Sequence, residues 1–96
     1  MPANEFFLKL FTTAVMPGEI LTDVYIPEFP SGMGWGFQEL ARRPGDFAIA
    51  MVAATVMMRG RKCKEVRISM GGVGSIPLRA SDAEKLLEGQ EPDDKV

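Results

Sequence analysis

Phe37 to Met58, F-Q-E-L-A-R-R-P-G-D-F-A-I-A-M-V-A-A-T-V-M-M, decides the fold. Its second half, Phe47 to Met58, is apolar on both alternating faces: Phe47, Ile49, Met51, Ala53 and Met57 on one, Ala48, Ala50, Val52, Ala54, Val56 and Met58 on the other. Such a run reads as a central strand, although its alanines also suit a helix and periodicity alone does not separate the two. The next residues do. Arg59-Gly60-Arg61-Lys62 makes a hairpin connection into a second alternating run, with Val66, Ile68 and Met70 inward and Glu65, Arg67 and Ser69 outward. Upstream, Trp35 to Ala41 is a strand, joined to the apolar run by Arg42-Arg43-Pro44-Gly45-Asp46. Two adjacent cations and an acid around a Pro-Gly break mark a turn.

Further strand and helix signals flank this unit. Ile20, Thr22, Val24 and Ile26 share one face and Leu21, Asp23 and Tyr25 the other, the period of a half-buried strand, ended by Pro27 and Pro30. Asn4 is placed to cap a short turn carrying Glu5, Phe6, Phe7 and Leu8 that buries its aromatics. Ser81-Asp82-Ala83-Glu84 has capping-box spacing and opens a helix through Leu87 that Gly89 can end; Gln90 to Val96 is a polar tail expected to fray. Gly71-Gly72-Val73-Gly74 is a weak phosphate-cradle signal, because Ile76-Pro77 keeps the chain extended where a helix would have to start; it reads as a bend. The expected fold class is α+β: an antiparallel sheet of three to four strands with a helix packed on one face.

Composition narrows function mainly by exclusion. Ninety-six residues with a net charge of -2 leave no electrostatic footprint for nucleic acid. The chain has no histidine, so Ser-His or Cys-His nucleophiles and His-ligated metals are absent from it. One cysteine, Cys63, cannot pair internally or hold an iron–sulfur cluster and fits a reducing compartment. No secretory pattern opens the sequence, and the longest apolar run is shorter than the ~20 residues that cross a bilayer, so a cytoplasmic domain with no membrane contact is expected. The methionines read as core filler, Cys63 as passive, and Arg59, Arg61, Lys62, Lys64 and Arg67 as solubility and edge protection.

Three motifs in order carry more. Pro17 to Pro27 (P-G-E-I-L-T-D-V-Y-I-P), the Phe37 to Met58 run and Gly71 to Ala80 (G-G-V-G-S-I-P-L-R-A) resemble the C-terminal domain of the FAD-binding medium subunit of molybdenum hydroxylases, the carbon monoxide dehydrogenase and xanthine dehydrogenase group. The resemblance covers roughly Asn4 to Gly89. It implies a domain over 1–89, a tail over 90–96, absence of the family's N-terminal FAD-binding domain, and helical sequence that would normally continue past Ser81. It also implies a role in closing over FAD as electrons pass from a molybdopterin subunit, through an iron–sulfur subunit, to the flavin and an external acceptor. Cofactor-facing positions carried over from the family are Leu21, Gln38, Arg42, Arg43 and Asp46; a lysine is frequent where Gln38 stands. No catalytic or metal-binding residue is implied, and FAD binding by this chain alone should be weak or nil. From composition alone the twin-arginine loop is a solvated turn, whereas the resemblance makes it a cationic loop beside a flavin. The competing expectation is a free-standing interaction module that keeps the fold without the redox role. Either way the apolar content predicts self-association or a covering partner.

Overall fold

The long apolar run is a strand. In the computed structural model, which describes residues 1–93, β4 (Ala48–Arg59) lies between β3 (Gly34–Ala41) and β5 (Lys62–Gly71), and a short β6 (Leu78–Arg79) completes a four-stranded antiparallel sheet in the order β3-β4-β5-β6. Before it come a four-residue helix, α1 (Ala3–Phe6), and a two-stranded sheet of β1 (Phe7–Lys9) and β2 (Thr12–Thr13); after it comes helix α2 (Ser81–Leu87). The α+β architecture, the central position of the apolar run and the hairpin at Gly60-Arg61 agree with expectation.

Register sets the two faces. Gln38, Val52 and Met70 stand across from one another, as do Gly36, Ala54 and Ile68, and Val56 opposes Val66, so one face is apolar with Gln38 on it. Phe37, Ala53, Ser69 and Arg79 line up on the other, mixed face, beside Thr55 and Arg67. A bulge between Met57 and Met58 changes the phase, pairing Met58 with Cys63, and brings the Cys63 thiol inside. Val66 is fully buried, and among the described residues it and Cys63 are the only buried apolar side chains. The chain exposes 8324 Å², against about 5,400 Å² for a folded monomer of its mass. Its radius of gyration is 16.0 Å where a compact chain of this length has about 13 Å. The sheet has its connections but not its cover.

Turn chemistry places the loops. Pro44 and Gly45 (φ +81°) occupy the centre of a turn closed by Asp46 N–H donating to Arg43 O at 3.2 Å, the type II arrangement that needs a glycine third. At the end of β5, Gly72 (φ +77°) passes so close to β4 that a Cβ would lie 2.7 Å from the Ile49 carbonyl oxygen. The Gly71–Gly74 segment is thus a bend.

Four local expectations are corrected. Ile20 to Ile26 is no strand: it runs as an exposed extended segment without a ladder partner, because no strand among the described residues lies beside it. Asn4 sits inside α1, whose N-cap is Pro2 and carries no side-chain cap, and Phe7 and Leu8 stay exposed. Ser81 likewise lies inside its helix; Ala80 is the N-cap, no side-chain cap forms, and Glu84 is used elsewhere. The start of the polar tail is docked, with Gly89 N–H donating to Cys63 O at 2.6 Å, Cys63 N–H donating to Gln90 O at 2.8 Å, and Glu91 paired with Arg61. Residues 94–96 lie outside the described residues. Gly89 (φ +81°) does follow the helix end as expected.

Candidate functional site

The twin-arginine loop projects from the end of the β3–β4 hairpin, on the stiff Arg43-Pro44-Gly45-Asp46 turn. Asp46 is engaged twice: Oδ1 accepts the Phe47 N–H at 2.9 Å, and Oδ2 pairs with Arg43 Nε at 3.3 Å. Arg43 is nevertheless 81% exposed, so this pair adds little stability; its effect is to neutralise one cation. Arg42 forms no ion pair among the described residues. The next side chain, Phe47, is 94% exposed, which leaves an aromatic ring and one free guanidinium at the same hairpin end.

Leu21 lies elsewhere. It lines a cleft of about 970 Å³ between the α1–β1–β2 unit, which contributes Phe6, Phe7 and Val15, and the extended segment, which contributes Ile20 and Tyr25. Gln38, Arg42, Arg43 and Asp46 are not among its lining residues. Gln38 is exposed at mid-strand on the apolar face, opposite Val52 and on the other side of the sheet from Phe37. The structure therefore joins Arg43 to Asp46 directly, and no hydrogen bond links that pair to Leu21 or Gln38.

A third cluster escaped the sequence. The Glu84 carboxylate is buried, and Oε1 accepts the Ile68 N–H at 2.8 Å and Arg79 Nε at 2.9 Å. A side chain thus takes the place of a neighbouring strand on the outer edge of β5. Ala80 N–H donates to Ile68 O, Arg67 caps Val66 O, and Gly89 and Gln90 bond Cys63, so most of the rest of that edge is also occupied. Arg79 holds Glu84 below the usual carboxylate range, with help from the Ile68 N–H and against the burial that opposes charge. Arg79 is correspondingly raised, chiefly by its bond to Glu84. The S-x-x-E spacing was visible but pointed to a cap; only the position of α2 against β5 redirects the carboxylate. The cluster is structural, since both charges are consumed internally.

Residues 35–96 match the family described as the CO dehydrogenase flavoprotein C-terminal domain, a stretch that includes the hairpin loop, the glycine bend and the Arg79–Glu84 cluster. The chain belongs to this family. It is 38% identical over 87 residues to the carbon monoxide dehydrogenase medium chain of Afipia carboxidovorans, covering 91% of this chain and 30% of that one. It is 42% identical over 89 residues to the nicotine 6-hydroxylase medium subunit of Paenarthrobacter nicotinovorans, covering 93% and 31%. Among solved structures, carbon monoxide dehydrogenase from Hydrogenophaga pseudoflava superposes at a TM-score of 0.92 with 32% identity, over 98% of this chain and 33% of its own. Quinoline 2-oxidoreductase from Pseudomonas putida 86 gives 0.86 and 36%, over 95% and 31%. The chain spans about a third of the length of the relatives it matches. It is homologous to the flavoprotein, or medium, subunit of molybdenum hydroxylases, as its motifs implied. No helix among the described residues is long and apolar enough to cross a membrane.

Proposed function

We propose that this chain forms the part of a molybdenum-hydroxylase flavoprotein subunit that closes over FAD while electrons pass from iron–sulfur clusters to an external acceptor. The observation that carries this reading is the hairpin loop of a flavoprotein-family sheet, where Asp46 neutralises Arg43 and leaves Arg42 presented outward. The residues present fit the cofactor in part. Leu21, Ile20, Phe6 and Phe7 line an apolar cleft of a size that holds planar rings, whereas Arg42, the cation, is on the hairpin loop and not among the residues that line it. Among the described residues no glycine-rich loop opens a helix, so the pyrophosphate contacts come from elsewhere. The flavin, when bound, supplies the ring that accepts and passes on electrons.

The chain's own contribution is electrostatic and steric. A cation close to a flavin favours added electrons, and a neighbouring carboxylate opposes it. With Arg43 held by Asp46, Arg42 is the guanidinium free to exert that effect, while the Pro44-Gly45 turn fixes where it can reach. Gln38 offers a hydrogen-bonding amide without the charge of a lysine. The iron–sulfur and molybdopterin subunits are the partners this role requires, and the uncovered sheet is where further protein would pack or, in their absence, where copies would self-associate.

The test uses the intact assembly of medium, iron–sulfur and molybdopterin subunits. Arg42→Gln should lower the flavin midpoint potential by tens of millivolts and slow electron delivery, while Arg43→Gln should change it much less. Equal effects, or none, in normally folded variants would return the loop to a solvated turn. Titrating FAD with this chain alone should show weak or no quenching of flavin fluorescence; submicromolar binding would contradict the external pyrophosphate site.

A further inference from the structure

The four-stranded sheet treats its two sides differently. On the β5 side, β6, two side chains and the residues after α2 occupy most of the available backbone groups. β3 borders the sheet on the other side, and among the described residues nothing bonds its outer edge, so alternate N–H and C=O groups along it stand unpaired. Open edges usually carry a Lys, an Arg or a Pro that blocks pairing. β3 has none of them: it reads G-W-G-F-Q-E-L-A, with Glu39 as its one charge. Its large side chains are open too, Trp35 being 72%, Leu40 62% and Phe37 50% exposed.

Register selects the occupant. A twofold axis normal to a sheet keeps each face on its own side, so two copies of one edge strand pair antiparallel with like faces opposed. The β3–β4 ladder is regular from Gly34 to Leu40 and shifts before Ala41. Phe37 is the midpoint of that regular stretch. An axis through it sets Phe37 against Phe37, Trp35 against Glu39, Gly36 against Gln38 and Gly34 against Leu40 of the second copy. Glu39 then meets an aromatic ring and not another carboxylate, and Gln38 and Leu40 each face a glycine. On the mixed face the Phe37 rings become direct neighbours, with each Trp35 diagonal to the Phe37 of the other copy. Pairing about Gln38 instead would use Ala41, where the strand is irregular, and would set Phe37 against Glu39.

We infer that the outer edge of β3 is a self-association surface whose occupant is β3 of a second copy of this chain, paired antiparallel about Phe37. The sheet then runs unbroken through both copies, in the order β6-β5-β4-β3-β3-β4-β5-β6. Because the same edge is used up on each copy, assembly through it closes at the dimer. The pairing does not depend on the flavin reading.

Sedimentation velocity of this chain over a range of concentrations, with two pairs of variants, tests it. The parent should pass from monomer to dimer as concentration rises. Under mild oxidation Phe37→Cys should form a disulfide between copies, located at residue 37 by peptide mapping, because opposed residues stand about 4.5–5.5 Å apart at Cα. Gln38→Cys should not, since it is offset from its own counterpart by about two residues and lies beyond the ~7 Å that a disulfide spans. Phe37→Lys sets like charges together on the axis and should weaken the dimer by roughly 10-fold or more, whereas Gln38→Lys faces a glycine and should change it by less than about 2-fold. A chain that stays monomeric at every concentration, or equal cross-linking of the two cysteine variants, overturns the inference. Equal weakening by the two lysines would place the contact on the sheet faces and overturns it as well.

Discussion

Two stretches of this chain have the same kind of alternation and opposite fates. Val66, Ile68 and Met70 alternate with Arg67 and Ser69, and β5 is the best-covered strand in the molecule; Ile20, Val24 and Ile26 alternate with Leu21, Asp23 and Tyr25, and no strand forms. The difference lies in the neighbours. β5 has β4 along one edge, and along the other β6, the residues after α2 and two side chains. The N-terminal stretch has nothing to bond on either side among the described residues. Alternation marks a residue run as able to join a sheet, and partners decide whether it does.

The strongest way to break the contrast is to destroy its covered half. Val66→Asp places an unpaired charge at a fully buried position and should leave the sheet unfolded, read as loss of cooperative thermal melting and of the β signal in circular dichroism. Gly72→Ala should be the next most costly. An alanine there adopts a left-handed conformation with its Cβ against the Ile49 carbonyl, a cost of about 2 kcal/mol or more measurable by urea denaturation.

The closed edge of β5 sharpens the comparison through pH. Glu84 has a lowered folded-state value, so the stability it contributes is fully present above its ordinary value of 4.5 and is lost as pH falls through the lower, folded one. Melting of the parent chain should therefore weaken progressively below about pH 4.5, and Glu84→Gln should lower the midpoint at neutral pH and flatten that acid dependence. Arg79, raised above an already high value, stays charged throughout and adds no dependence in this range. An unchanged acid profile in the variant would show that other carboxylates govern it.

The smallest effects belong to the exposed features. Arg43→Gln removes an ion pair that is mostly in solvent and should alter stability by less than about 0.5 kcal/mol. Ile20→Thr, in the stretch without partners, should do the same in this chain alone. A loss above about 1 kcal/mol at Ile20 would mean that the segment already packs in solution, and the contrast with β5 would fail.

How far the sequence could be read follows the range of the interactions involved. Arg43-Pro44-Gly45-Asp46 declares its turn because proline and glycine restrict their own dihedral angles, and Asp46 finds Arg43 three residues away. The Phe47 to Met58 run and the hairpin at Gly60-Arg61 declare a central strand because apolar character on both faces and a two-residue reversal are local properties. Glu84 was misread because its true partners, Ile68 and Arg79, are fixed only once α2 lies against β5; a capping box and an edge clasp have the same four letters. For the candidate site, the loop was legible, whereas the separation of Leu21 into its own cleft and of Gln38 onto the apolar face needed the register.

By itself, then, the sequence determined the three long strands of the sheet and the turns that join them, the α+β class, the absence of histidine chemistry and, through its three motifs, the family. Tertiary structure alone decided which alternating run became a strand, which of two adjacent arginines is neutralised, and which carboxylate closes the sheet edge. Dihedral preference and side-chain alternation act within a few residues and are written along the chain. Hydrogen-bond partnership and burial are relations between distant residues, and they exist only once the chain has brought those residues together.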